Sequence, residues 1–156
     1  MNSFKDNKLK SRLQNNQVTI GSWLSIPSPV VAEIMAQAGF PWLVVDMEHS
    51  VIDLETMQAM FLAMELNNCT PLVRLSGKDL NQTKRVLDSG AYGIISPMIN
   101  TAEEAEMMVN SVKYPPWGER GVGLARAQGY GMKFNDYKEL LIIIVSSFVK
   151  SNIKMP

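Results

Sequence analysis

The sequence has little of the residue types that build disulfides and metal clusters. It holds one cysteine, Cys69, and one histidine, His49, among 156 residues. A single thiol cannot close an intrachain disulfide, and a single thiol with a single imidazole cannot assemble a cysteine and histidine metal cluster. We therefore expect a reducing, cytoplasmic environment.

The sequence also lacks an excess of charge of one sign and a long apolar run. Fifteen basic side chains balance 15 acidic ones, so no overall field favours nucleic acid or an anionic membrane as partner. The most apolar stretch, residues 140–149, is about half of the roughly 20 residues that a membrane-spanning helix needs. Residues 1–17 are polar, without the apolar core of a signal peptide, and are expected to form an N-terminal helix or extension.

The composition that remains is that of one globular domain. Apolar residues make up 46% of the chain and charged residues 19%, which is enough to bury a core and is unlike a disordered segment. The length suits one domain rather than two. Residues 18–156 are therefore expected to form a single folded unit.

Four helix starts can be placed from capping residues. Each is a short polar side chain that can accept a backbone N–H of the first turn, namely Ser28, Asp53, Asp79 and Thr101. Pro29 suits a first helical position, and Glu104 completes a capping box with Thr101. Gly39 and Gly90 are predicted to end the first and third helices in the left-handed conformation.

The predicted helices have apolar residues at helical spacing. For the first helix the predicted buried face is Val31, Ile34, Met35 and Ala38. For the second helix it is Leu54, Met57, Phe61 and Met64. Methionines on such faces are expected to fill the core rather than to bind a ligand.

Short apolar segments between the helices predict strands. They span residues 18–24, 42–45, 71–75 and 93–96 and lack polar alternation, as parallel strands covered on both faces do. Strand and helix alternate with a period of 22 to 26 residues, which predicts an α/β fold: a doubly wound sheet or a (β/α)₈ TIM barrel. A full barrel needs about 250 residues, so this chain would supply about five of its eight units.

Ionisable residues follow the second and third predicted strands. Asp46, Glu48 and His49 come at the end of the second strand, and Arg74 ends the third. Ligands bind at the carboxyl ends of strands in both candidate folds. A carboxylate near an imidazole can raise its basicity, and an arginine can hold the carboxylate or enolate oxygens of a small keto acid. The pattern predicts a proton-abstraction site; the alternative is a surface histidine beside carboxylates that cap a turn.

A glycine-rich segment spans residues 114–123. It matches neither the phosphate loop that ends in Gly-Lys-Ser/Thr nor the dinucleotide fingerprint. We expect it to lie over the mouth of the barrel, where Arg120 or Arg126 could contact an anion. The alternative is an ordered surface loop without a ligand.

Several separated motifs resemble the HpcH/HpaI aldolases, the class II pyruvate-dependent aldolases of the phosphoenolpyruvate/pyruvate barrel superfamily. The resemblance covers about residues 18–131, and residues 132–156 diverge from it. The residues that carry it are Gly21-Ser22-Trp23, Ser28-Pro29, Glu33-Ile34, Ala38-Gly39-Phe40, Trp42 to Asp46, Glu48-His49, Pro71 to Arg74, Leu87 to Ala91, and Tyr114-Pro115-Pro116 to Gly121 and Gly123.

The resemblance implies a (β/α)₈ barrel and a carbon-carbon lyase. The implied reaction cleaves a 4-hydroxy-2-keto acid, of the 2-keto-3-deoxy sugar acid or hydroxy-heptenedioate type, to pyruvate and an aldehyde. A divalent metal (Mg, Mn or Co) would stabilise the pyruvate enolate. By resemblance His49 is the catalytic base, Asp46 its neighbouring carboxylate, and Arg74 the group that binds substrate and stabilises the enolate. Asp88 would raise the basicity of the histidine, and Glu48 would lie beside substrate and metal-bound water.

The sequence departs from this family where the metal ligands are expected. In the family they follow the fifth strand as Gln-x-Glu and the sixth as an aspartate. Here the fifth strand is predicted at residues 140–145, and no carboxylate follows Glu139. The sequence therefore predicts a C-terminally truncated barrel, by frameshift or natural stop, that has no metal ligands and no aldolase activity as an isolated chain.

Two other interpretations of the sequence remain open. A non-catalytic half-barrel could assemble with itself or with a complementary chain, because missing strands leave sheet edges unpaired. A flavodoxin-like binding domain would suit the length, although no phosphate loop is present.

Overall fold

The computed structural model describes residues 8–137, and in this part the chain alternates strands and helices. The elements are α1 (Lys8–Gln14), β1 (Ser22–Leu24), α2 (Pro29–Gln37), β2 (Trp42–Asp46), α3 (Leu54–Leu66), β3 (Thr70–Arg74), α4 (Leu80–Asp88), β4 (Gly93–Ile95), α5 (Ala102–Val112) and a 3₁₀ segment (Arg126–Gly131). The strand predicted at residues 140–145 and the divergent tail lie outside the described residues. No helix within residues 8–137 combines the length and apolar character that a bilayer crossing requires.

The four strands form one parallel sheet in the order β1-β2-β3-β4. In a doubly wound sheet the order of the strands across the sheet reverses at the switch point, so neighbouring strands do not follow chain order throughout. Winding in one direction is the pattern of a (β/α)₈ barrel. The described residues therefore form four consecutive βα units of a barrel, which confirms the predicted fold class and rules against the flavodoxin-like reading.

The predicted helix starts are confirmed, because each depends on a bond within one turn. The capping side chains of Ser28, Asp53, Asp79 and Thr101 accept the backbone N–H of Val31, Thr56, Asn81 and Glu104 at 3.4, 2.8, 2.8 and 3.2 Å. Gly39 and Gly90 follow their helices with φ of +94° and +108°, the left-handed region that favours glycine. The Glu104 carboxylate accepts the N–H of Asn100 at 2.8 Å and pairs with Lys78.

The predicted buried face of α2 is partly wrong. Ala32 and Ala36 are its buried residues, whereas Ile34 is exposed. Val31 and Met35 are only partly buried against the core. The small side chains face inward where α2 packs against α3, whose buried residues Met57, Met60, Phe61 and Met64 include three of the four predicted.

The two faces of the sheet are covered differently. The outer face, with Leu43, Val45 and Val73, packs under the helices in the main core. The inner face, with Val44 and Leu72, is covered by Leu9 and Leu13 of α1 together with Trp42 and Ile95. Because side chains alternate along a strand, Asp46 and Arg74 lie on this inner face, two residues beyond Val44 and Leu72.

Candidate active site

Asp46 and Arg74 end the neighbouring strands β2 and β3 and lie opposite each other in the sheet register. The Arg74 Nε donates to Asp46 Oδ1 at 2.8 Å, and its Nη2 donates to Asp46 Oδ2. The Arg74 side chain is 18% exposed and the Asp46 side chain is 8% exposed. A two-point pair of this kind fixes the guanidinium in position as well as in charge.

Both members of this pair are charged at neutral pH. Burial opposes ionisation of Asp46, but the hydrogen bonds from Arg74 and from the backbone of His49 and Glu48 outweigh it, so the pKa of Asp46 lies below its ordinary value. The hydrogen bond to Asp46 raises the pKa of Arg74 despite its burial. The site therefore holds a fixed guanidinium rather than a titrating group.

The loop after β2 is folded back onto the strand end by two side chains. Asp46 Oδ1 accepts the backbone N–H of Glu48 at 3.0 Å and of His49 at 3.2 Å. The Ser50 hydroxyl donates to the Asp46 carbonyl and accepts the Ile52 N–H at 3.1 Å. Our sequence reasoning missed Ser50, although a serine shortly after a strand end is a recognised signal for such local bonds.

Glu48 and His49 complete the cluster. Glu48 Oε2 lies 3.2 Å from Arg74 Nε, and Glu48 Oε1 lies 3.7 Å from His49 Nε2. The His49 side chain is 69% exposed, so a ligand can reach its ring from solvent. Four of the five predicted site residues are thus brought together at the carboxyl ends of β2 and β3.

Asp88 lies elsewhere. It is the last residue of α4, and a helix in a βα unit runs antiparallel to the strands, so it ends at their amino end. There the Tyr92 N–H donates to the Pro71 carbonyl at 2.9 Å, and the Asp88 carboxylate accepts from Arg120 Nη2 at 2.6 Å. The structure therefore does not bring Asp88 to His49 within one copy of the chain, as its predicted role would require.

The glycine-rich segment also lies at the amino end of the strands, so its predicted place over the barrel mouth is wrong. Arg120 is bound to Asp88 there, and Arg126 pairs with Glu65 near the end of α3. Arg126 also donates to the Ser89 carbonyl at 3.1 Å. Arg120 thus ties the segment to the end of α4, and Arg126, which follows the segment, binds at the ends of α3 and α4. These contacts rule against the predicted anion contact.

One edge of Arg74 is open. Within the described residues, its Nη1 nitrogen makes no hydrogen bond. The side chain of Trp23, on β1, lies against Arg74, and the centre of its ring is 4.6 Å from the Arg74 Cζ. Trp23 was part of the motif that carries the resemblance, but the sequence did not indicate a role for it.

The described residues do not fit a divalent metal. No group of three or more histidine, cysteine, aspartate or glutamate side chains in residues 8–137 could hold one. Both oxygens of Asp46 are engaged by Arg74 and the backbone, and the Glu48 carboxylate faces Arg74 and His49. No chemical step is therefore assigned to a metal held by these residues.

In this chain an arginine, a histidine and carboxylates lie at the carboxyl ends of consecutive parallel βα units, which is where (β/α)₈ barrels bind their ligands. A family model described as HpcH/HpaI aldolase/citrate lyase matches residues 19–152. The chain belongs to this family, and the resemblance read from its motifs is confirmed.

Similar proteins support the assignment. A hydroxypyruvate/pyruvate aldolase of Roseobacter denitrificans is 39% identical over 127 residues, which is 80% of this chain and 50% of the relative. A 2-keto-3-deoxy-L-rhamnonate aldolase of Escherichia coli is 34% identical over 98% of this chain and 60% of its own length. A crystal structure of a family member from Burkholderia cenocepacia superposes with a TM-score of 0.83 at 32% identity, covering 89% of this chain and 58% of that one. The chain thus spans about half the length of the curated relatives it matches.

Proposed function

We propose that the chain carries the base and the anion-binding arginine of an aldolase site that cleaves 4-hydroxy-2-keto acids to pyruvate and an aldehyde. The observation that carries this proposal is the fixed Arg74 guanidinium, with its Nη1 open, beside the exposed His49 imidazole at the carboxyl ends of parallel strands. The names of the aldolase relatives support the reaction class.

In the proposed reaction His49 takes the proton from the C4 hydroxyl of the keto acid. The C3–C4 bond then breaks, C4 leaves as the aldehyde, and the electron pair of that bond forms the enolate of pyruvate. Arg74 Nη1 donates to the oxygen on which negative charge develops, a use of a preorganised donor that stabilises a transition state. The protonated His49 returns its proton to C3, directly or through a water molecule, which completes pyruvate and restores the neutral base.

The surrounding carboxylates support these roles. Asp46 keeps the guanidinium charged and fixed, because it occupies two of its three nitrogens. Glu48 lies 3.7 Å from the His49 ring, where its carboxylate can orient the imidazole for proton transfer. The small keto acid is the proposed partner, and self-association or assembly with a complementary chain remains a proposal. The divalent metal (Mg, Mn or Co) implied by the resemblance would require ligands beyond the described residues.

Exchange of the methyl protons of pyruvate for deuterium, followed by proton NMR, tests the proposal on half of the reaction. We expect the chain to accelerate exchange over buffer, and His49→Gln and Arg74→Gln to remove the acceleration. Arg85→Gln, an exposed arginine on α4, is the matched control and should exchange like the parent chain. An exchange rate no higher than that in buffer alone, both with and without added Mn²⁺, would contradict the proposal.

Complete aldol cleavage is a separate measurement. Pyruvate release from 4-hydroxy-2-oxovalerate is followed with Mg²⁺, Mn²⁺ or Co²⁺ present. We expect no turnover by this chain alone, because residues 8–137 supply no metal site. Robust turnover would show that residues outside this range complete the site within the same chain.

A further inference from the structure

We propose that Trp23 is a positioning residue for Arg74, holding the guanidinium so that its Nη1 faces the open end of the inner face of the sheet. The inference rests on the proposed role of Arg74 and deepens it. Its basis is the stacking of the Trp23 ring at 4.6 Å from the Arg74 Cζ. A cation within about 6 Å of an indole ring is attracted by the ring face.

The sheet register explains how two residues on non-adjacent strands meet. Trp23 on β1 pairs with Val44 of β2, and Arg74 on β3 pairs with Asp46 of β2. Partners in parallel register point to the same face, so Trp23 and Arg74 both project from the inner face. The long side chains meet above β2, which separates their backbones.

Asp46 and Trp23 contact different parts of the Arg74 guanidinium. Asp46 occupies the edge formed by Nε and Nη2, while the indole lies over the guanidinium. Asp46 alone fixes one edge but allows the plane to tip, and the indole limits that motion. The remaining edge, with Nη1, is the donor left for a substrate oxygen.

Core packing does not account for Trp23. Trp23 is 46% exposed, and it belongs to none of the buried clusters in the described part of the chain. A large aromatic side chain left half-exposed on a strand needs another partner, and Arg74 is that partner. Because Trp23 is not a core residue, its replacement should leave the protein folded.

The contact can be measured by ¹⁹F NMR of protein labelled with 5-fluorotryptophan. The chain has three tryptophans, and Trp23→Phe assigns the Trp23 resonance by its disappearance. We expect Arg74→Gln to shift that resonance and to leave the Trp117 resonance in place. An unmoved Trp23 resonance would overturn the inference.

The positioning effect can be measured by modification of Arg74 with phenylglyoxal, read by peptide mass spectrometry. We expect Trp23→Leu to raise the modification rate about fivefold, the change that loss of a cation–π contact of ordinary strength would give. Trp23→Phe keeps an aromatic face and should restore most of the protection. Trp117→Leu, at another half-exposed tryptophan, should react like the parent chain.

The pyruvate exchange assay then connects the contact to function. We expect Trp23→Leu to slow exchange and Trp23→Phe to recover it, with unchanged urea midpoints showing that all variants are folded. If Trp23→Leu shows the same rate of Arg74 modification and the same rate of pyruvate exchange as the parent chain, the inference is refuted. If the parent chain shows no exchange, the proposed function fails, while the fluorine and modification experiments still decide whether Trp23 positions Arg74.

Discussion

Arg74 and Asp46 join the carboxyl ends of two neighbouring parallel strands through a two-point ion pair. The same Asp46 carboxylate also accepts the backbone N–H groups of Glu48 and His49. One side chain therefore fixes both the guanidinium and the loop that carries the imidazole. Stability and site geometry are coupled at this residue.

Asp46→Asn is expected to destabilise the fold by about 2 kcal/mol, because it removes a charge-assisted pair and leaves a largely buried guanidinium with less compensation. Urea unfolding measures the change. Arg85→Gln, on an exposed part of α4, should shift stability by no more than about 0.5 kcal/mol. In the double variant Asp46→Asn with Arg74→Gln, the loss should be smaller than the sum of the single losses; simple additivity would contradict the pairing.

The contribution of Asp46 should depend on pH in a defined direction. Its pKa is lower in the folded chain than its ordinary value, so its stabilisation is complete above the unfolded pKa of about 3.9 and is lost as pH falls through the folded pKa. The difference in unfolding free energy between the parent chain and Asp46→Asn should thus be constant from pH 7 to 6 and should shrink below about pH 4. Urea midpoints across this range measure it, and a difference that grows on acidification would have the wrong sign.

Gly21→Ala is expected to cost about 1 to 3 kcal/mol through overpacking. An added Cβ would lie 2.1 Å from the Trp42 ring, and that ring is held by a 3.1 Å hydrogen bond from its Nε1 to the Thr19 hydroxyl. Gly77→Ala is the matched control, because its added Cβ meets nothing within 4 Å. Equal melting temperatures for the two variants would show that the Trp42 ring moves away freely.

Asp88→Asn is expected to cost about 3 kcal/mol, because it leaves the Arg120 side chain, 0% exposed, without its carboxylate partner. Arg120 also lies over the rings of Tyr114 and Tyr137, so the loss should loosen residues 114–137 first, as hydrogen exchange can show. The NMR signals of the His49 ring should not move in a monomeric sample. A shift of those signals would show that Asp88 reaches His49 after all.

The sequence by itself determined the features that depend on bonds between near neighbours. Ser28, Asp53, Asp79 and Thr101 each cap a helix through an N–H two or three residues away, so their positions could be predicted without the fold. The regular alternation of strand and helix predicted a parallel α/β fold, either a doubly wound sheet or a barrel, and the positions of Asp46, Glu48, His49 and Arg74 after strand ends predicted that these side chains lie together. The four side chains do lie together, because the carboxyl ends of neighbouring parallel strands meet at one edge of the sheet.

Only the tertiary structure decided which distant residues meet. Spacing alone did not show that the inward face of α2 centres on Ala32 and Ala36 rather than Ile34, because that choice follows from close packing against α3. It also could not place Asp88 and residues 114–123 at the amino end of the strands, nor bring Trp23 over Arg74. Each of these depends on contacts between residues far apart in the chain, whose energies are set by the register and packing of the assembled sheet.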